Sequence, residues 1–118
     1  MAEWPRLLGH YILDANGDPQ LCEDFLAWAE WFEGTVGTRE RVLAHDRDEG
    51  ANGLEILVST VFLGLDHSFG GGPPVLWETM VLGGLLDGLQ MRYTSREEAF
   101  RGHQEICRRV SESVRGSP

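Results

Sequence analysis

The chain has 118 residues, 42% of them hydrophobic, and 19 acids against 10 basic residues give a net charge of −9. That length suits one core and one domain, 1–118, with residues 115–118 as a frayed tail. An acid-dominated surface repels phosphate backbones, which disfavours direct binding of duplex nucleic acid. No apolar run approaches the roughly 20 residues that a membrane-spanning helix needs.

All ten basic residues are arginine, and residues 1–88 carry 4 of them against 15 acids, whereas residues 89–118 carry 6 against 4. The opening MAEWPRLLGH lacks the apolar core of a signal peptide, so a soluble, cytoplasmic protein is expected. Cys22 and Cys107 both fall in helical patterns and are expected to be packed thiols, not a disulfide.

His10 to Leu13 predicts a short strand, closed by the turn residues Asp14-Ala15-Asn16-Gly17. Asp18 followed by Pro19 predicts a helix start, and Leu21, Phe25, Trp28, Ala29 and Phe32 continue it at helical spacing over 19–33, with Gly34 ending it. The side of this helix carrying Trp28 and Phe32 is expected to be core. Arg41 to Arg47 reads as a strand, residues 48–53 as a hairpin loop, and Glu55 to Leu63 as a strand rich in β-branched residues. Two further strands are expected at 75–82 and 89–94. Ser95 with Glu98 three residues on forms a capping box that opens a second helix over 95–114. Its core side is expected to carry Phe100 and Ile106, with Ala99, His103 and Val110 in line.

The order β-α-β-β-β-β-α with short connections predicts an α+β domain, a four- or five-stranded antiparallel sheet with two helices. The strands at 55–63 and 75–82 are apolar on nearly both faces. Either the helices lie on opposite sides of the sheet, or a second copy of the chain covers one side. A homodimer is the expected form, since so large an apolar patch is unusual on a monomer.

The candidate binding residues are Asp66, His67, Phe69, Gly71, Trp77, Glu78 and Arg92. Asp66 and His67 sit where a strand gives way to a glycine- and proline-rich loop, a usual place for functional groups. Neighbours on extended backbone point oppositely, so they form no natural catalytic dyad. Glu78 shares a strand face with Leu76, Met80 and Leu82; it is paired to an arginine such as Arg92, protonated with a raised pKa, or exposed at an edge. The triple glycine around Gly71 leads into Pro73-Pro74 and a strand, so it is not a phosphate-binding loop that opens a helix. Phe69 and Trp77 offer apolar contact area. No His-x-x-x-His and no cysteine pair is present, so neither a metal nor another cofactor is expected, and no catalytic residue is assigned.

The stretches VSTVFLGLDHSFGGGPPVLWETMVLGG and MRYTSREEAFRGH, with ILDANGDPQ before a tryptophan-bearing helix, resemble a family of short uncharacterised proteins of tailed bacteriophages and prophages. The resemblance covers roughly residues 11–104. It implies a small accessory protein of the host cytoplasm that binds a host protein or complex, including inhibitors of bacterial immunity. On this reading the chain is a non-catalytic binding protein acting by protein–protein contact. The alternative is a sponge for a nucleotide signal, or a small hydrolase, with a pocket of Asp66, His67, Glu78 and Arg92 for a small-molecule ligand.

Overall fold

The computed structural model describes residues 9–69 and 71–116. In chain order the elements are β1 (Tyr11–Leu13), β2 (Pro19–Leu21), α1 (Phe25–Gly34), β3 (Val42–Glu49), β4 (Glu55–Phe62), β5 (Trp77–Leu82), β6 (Gln90–Tyr93) and α2 (Arg96–Arg115). The fold is α+β. A two-stranded hairpin, β1–β2, accompanies a four-stranded antiparallel meander in the order β3-β4-β5-β6. No helix among the described residues is long and apolar enough to cross a membrane.

The expected helix over 19–33 is corrected at its start. The Asp14 carboxylate accepts the amides of Asn16 (2.8 Å) and Asp18 (3.0 Å), and the Asp14 amide donates to the Asp18 carbonyl. These bonds turn the chain back, so Pro19–Leu21 pairs with β1. Proline is tolerated there because β2 is an edge strand. The helix instead starts with Asp24 as its N-cap, whose side chain accepts the amides of Leu26 and Ala27. Trp28 is its buried residue, and its indole N–H donates to the carbonyls of Tyr11 and Gly64 at 3.1 Å each. Gly64 has φ 78°, and a Cβ there would lie 2.9 Å from the Phe32 ring, so only glycine lets α1 close on this turn.

α2 follows the capping pattern with one change. The Ser95 hydroxyl accepts the Glu98 amide, while the Glu98 carboxylate reaches the amide and hydroxyl of Thr94. The helix crosses all four strands of the meander, burying Ala99, His103, Ile106 and Val110. Phe100, expected in the core, is instead exposed, with the Arg96 guanidinium 5.9 Å above its ring. It lies one residue, about 100° around the helix, from the buried stripe.

Beneath α2, strand β4 alternates with period two, burying Ile56, Val58, Thr60 and Phe62. Two apolar clusters result. Ile56, Val58 and Val81 meet Ile106 and Val110, while Phe62, Leu76 and Trp77 meet Ala99, with Trp31, Leu43 and Tyr93 against them. Between them lies a polar layer, since Thr60 pairs with Thr79 across the strands, flanked by Val58–Val81 and Phe62–Trp77.

Strand β3 carries a bulge at Leu43: Val42 pairs with Val61, but Ala44 pairs with Thr60. The extra residue inverts the alternation. Beyond it Asp46 and Asp48 share the helix side with Val58 and Ile56, and His45 and Arg47 share the other side with Ser59 and Leu57. No described helix packs on that second side. The expectation of helices on opposite sides is not met, because α1 packs on β1 at the end of the sheet.

Candidate functional site

The loop residues singled out from the sequence do not converge. Both carboxylate oxygens of Asp66 are used locally: they accept the Ser68 amide (2.8 Å), the Ser68 hydroxyl (3.1 Å) and the Val75 amide (2.9 Å). Partial burial opposes the charged form, but the bonds from Val75 and Ser68 outweigh it and hold the carboxyl below its ordinary range. Asp66 therefore staples the two ends of the glycine–proline loop together. His67 turns back, with Nδ1 2.8 Å from the Leu65 carbonyl, and its ring meets Phe69 edge-on at 5.6 Å. Phe69 has φ 51° and is 66% exposed, an apolar ring held out on a left-handed backbone. Gly71 lies beyond it with open space around it.

Trp77 is 2% exposed and packs on Phe62 at 5.1 Å between ring centres, so its ring belongs to the core and not to the loop's outer surface. Strand alternation alone put it beside a loop without showing which face was covered. Glu78 lies on the opposite face, paired across the strands with Arg92, whose Nε is 3.8 Å from Oε2. The other oxygen, Oε1, is buried without a hydrogen-bond partner among the described residues. No hydrogen bond or ion pair joins Asp66 or His67 to Glu78 or Arg92 among the described residues.

What the fold brings together instead is a chain of polar groups running from the core to the surface beneath α2. The Tyr93 hydroxyl donates to Thr79 Oγ1 at 3.0 Å. The Thr79 and Thr60 hydroxyls are hydrogen-bonded at 2.5 Å, Thr60 Oγ1 lies 2.7 Å from His103 Nδ1, and His103 Nε2 lies 2.7 Å from Asp46 Oδ2. One direction satisfies every group: each hydroxyl passes its proton onward to His103 Nδ1, leaving Nε2–H to donate to the carboxylate. Thr60 is 0% exposed, Thr79 1% and His103 3%. The hydroxyls resemble a relay of carboxylate, imidazole and alcohol, but buried in this way neither can meet a substrate as a nucleophile.

The outer end of this chain is different. The Cys107 thiol lies 3.7 Å from Asp46 Oδ2, one helical turn beyond His103. Burial, then the negative charge of Asp46, pushes that thiol up to about 11. Asp46, His103 and Cys107 present one oxygen, one nitrogen and one sulfur within 4.8 Å of one another. They line a cavity of about 350 Å³ with Asp48, Gln104 and Ser111 on its walls. The sequence signal for this group is His103-x-x-x-Cys107, an i, i+4 pair on one helix face; spacings of histidine with histidine or cysteine with cysteine miss it. Nothing in the sequence points to Asp46, 57 residues away and aimed only by the bulge.

The second notable surface is the sheet face turned away from α2. It carries Leu57, Ser59 and Val61 on β4 and Met80 and Leu82 on β5, with Leu82 51% exposed. Arg47 pairs with Glu55 beside this strip at 3.1 Å, and the buried Glu78 interrupts the strip opposite Val61, paired with Arg92 on β6. No protein-family model, no curated protein and no solved structure matches the chain, so its own geometry must carry the reading of its function.

Proposed function

We propose that this chain is a non-catalytic binding protein that acts by protein–protein contact and pairs with a second copy of itself. The observation that carries the reading is the sheet face turned away from α2, where an apolar strip of half-buried Leu57, Val61 and Met80 and exposed Leu82 has no described helix or strand packed on it. A central apolar patch with charged groups at its edge is the usual anatomy of an interface. The exposed Arg47 and Glu55 beside the strip let a two-fold copy set opposite charges against one another. The groups that would serve a hydrolase or a nucleotide sponge favour this reading too, since Asp66 and His67 are engaged by their own loop.

The exposed Phe69 and the acidic surface then serve a second, different partner. Following the resemblance to phage accessory proteins, that partner is a host protein whose activity is modulated or blocked, as in inhibition of host immunity. The pairing is tested by light scattering over a concentration series, with Leu82→Glu as the probe because its exposed position tolerates charge in the monomer. A dimer that becomes a monomer in the variant supports the reading; a wild-type chain that stays monomeric at the highest concentration overturns it. The host contact is tested by pull-down at low and high salt with Phe69→Ala as control. Retention that weakens with salt and is lost in the variant is expected. Equal retention by the variant would remove the loop from the interface.

A further inference from the structure

We propose that Asp46, His103 and Cys107 bind a divalent cation of the zinc class at the mouth of the cleft between β3 and α2. The three donor atoms come from two elements packed face to face and lie within 4.8 Å of one another. A tetrahedral ion with bonds of about 2.0–2.3 Å holds its ligand atoms about 3.3–3.8 Å apart. The Asp46–Cys107 separation of 3.7 Å already falls in that range, and the Asp46–His103 separation of 2.7 Å must open by about half an ångström. Asp46 can supply that movement, since its side chain is 64% exposed and is not part of the packed core.

His103 is the best-prepared ligand. Its ring is buried, and Nδ1 is anchored on Thr60, which leaves Nε2 aimed at the cleft. Metal-bound histidines nearly always donate the second ring N–H to a partner, and Thr60 Oγ1 is placed to accept that bond once the proton moves to Nδ1. Mixed nitrogen, sulfur and oxygen donors select zinc-like ions over magnesium or calcium, which take oxygen ligands. Three protein ligands facing a cavity of about 350 Å³ leave a fourth position for water or for a donor from a partner.

The proton balance is simple. On binding, the imidazole stays neutral and carries its proton on Nδ1, which donates to Thr60; the hydroxyl chain reverses direction towards Tyr93. The Cys107 thiol releases its proton to solvent as the sulfur–metal bond forms, so about one proton leaves per ion. No oxidant or reductant is involved.

Cobalt(II) is the probe, because a cobalt–thiolate bond gives a charge-transfer absorption that oxygen and nitrogen ligands do not. The reduced, full-length chain titrated with cobalt(II) should develop that absorption to one equivalent, and zinc(II) should abolish it. Cys107→Ser should lose the absorption, Cys22→Ser should keep it, and Asp46→Asn should weaken cobalt binding at least about tenfold. Cys107 and Asp46 lie at the mouth of the cleft, and circular dichroism will verify that each variant is folded. If the folded wild-type chain shows no charge-transfer absorption, or if Cys107→Ser retains it, the site does not exist as proposed.

Discussion

Gly102 sits on α2 where the helix passes over β6, and replacing it by alanine tests how tightly that contact is built. A Cβ at this position would fall well inside 3.0 Å of Cε1, Cζ and the hydroxyl oxygen of Tyr93. Alanine ordinarily stabilises a helix interior by about 0.5–1 kcal/mol relative to glycine. Here the methyl group must expel the Tyr93 ring from the cluster it shares with Phe62, Trp77 and Ala99. Overpacking of that kind costs about 1–3 kcal/mol. Losing the Tyr93–Thr79 hydrogen bond adds about 1 kcal/mol. The net expectation is a destabilisation of about 2 kcal/mol, opposite in sign to helix propensity. Urea unfolding followed by tryptophan fluorescence measures it, because Trp31 and Trp77 lie in the same cluster. Repeating Gly102→Ala in a Tyr93→Ala background removes the collision, and there the alanine should stabilise by about 0.5–1 kcal/mol. Equal effects in the two backgrounds, or a single variant as stable as its parent, would refute the packing argument.

Thr60→Val keeps the side chain's shape but leaves His103 Nδ1 and Thr79 Oγ1 without their shared partner, and should cost about 2–3 kcal/mol in chemical denaturation. Asp66→Ala removes the acceptor for two amides and a hydroxyl and should cost about 1–3 kcal/mol while loosening the 66–75 loop to proteolysis. Because the folded carboxyl is held below its ordinary value of 3.8, its contribution is complete above that value and lost as pH falls through the lower folded value. Acid unfolding of wild type against Asp66→Ala should show the difference between their stabilities shrinking over that window and not above it. Trp77→Ala should destabilise by about 3–5 kcal/mol, read as a lower melting temperature. A variant with near-normal stability would mean that the Trp77 ring is not core.

Most of the architecture was legible because local signals agreed with the tertiary outcome. β-Branched residues at 55–62 and the Ser95–Glu98 cap reported elements whose burial reinforced them. The misplaced start of α1 shows the limit. Asp18-Pro19 is a sound helix opening by itself, but Asp14, four residues earlier, takes the Asp18 amide and commits the segment to a hairpin. Legibility failed further at the site. Trp77 and Glu78 are neighbours on one strand, and only the position of α2 decides that the tryptophan packs beneath the helix and the carboxylate lies on the opposite face, against Arg92. Asp46 was invisible as a ligand because an ordinary strand through 42–49 would have turned His45 towards α2; the bulge at Leu43 reverses that assignment.

The buried polar layer has a consequence for how α2 finds its place. Ala99, Ile106 and Val110 could rest on apolar strand residues in more than one alignment, since a slide of one turn, about 5.4 Å, exchanges one small or branched side chain for another. His103 cannot slide without leaving its own Nδ1 and the Thr60 and Thr79 hydroxyls unpaired, at about 1–3 kcal/mol for each buried group. A single polar contact of this kind is the best-attested way for buried polarity to set a register. Fixing His103 over Thr60 also determines where the next turn falls, and that turn carries Cys107 to within 3.7 Å of Asp46. The same histidine therefore aligns the helix on the sheet and brings three donors of different chemistry to the edge of one cleft. It is the register, set in the core, that assembles the group at the surface.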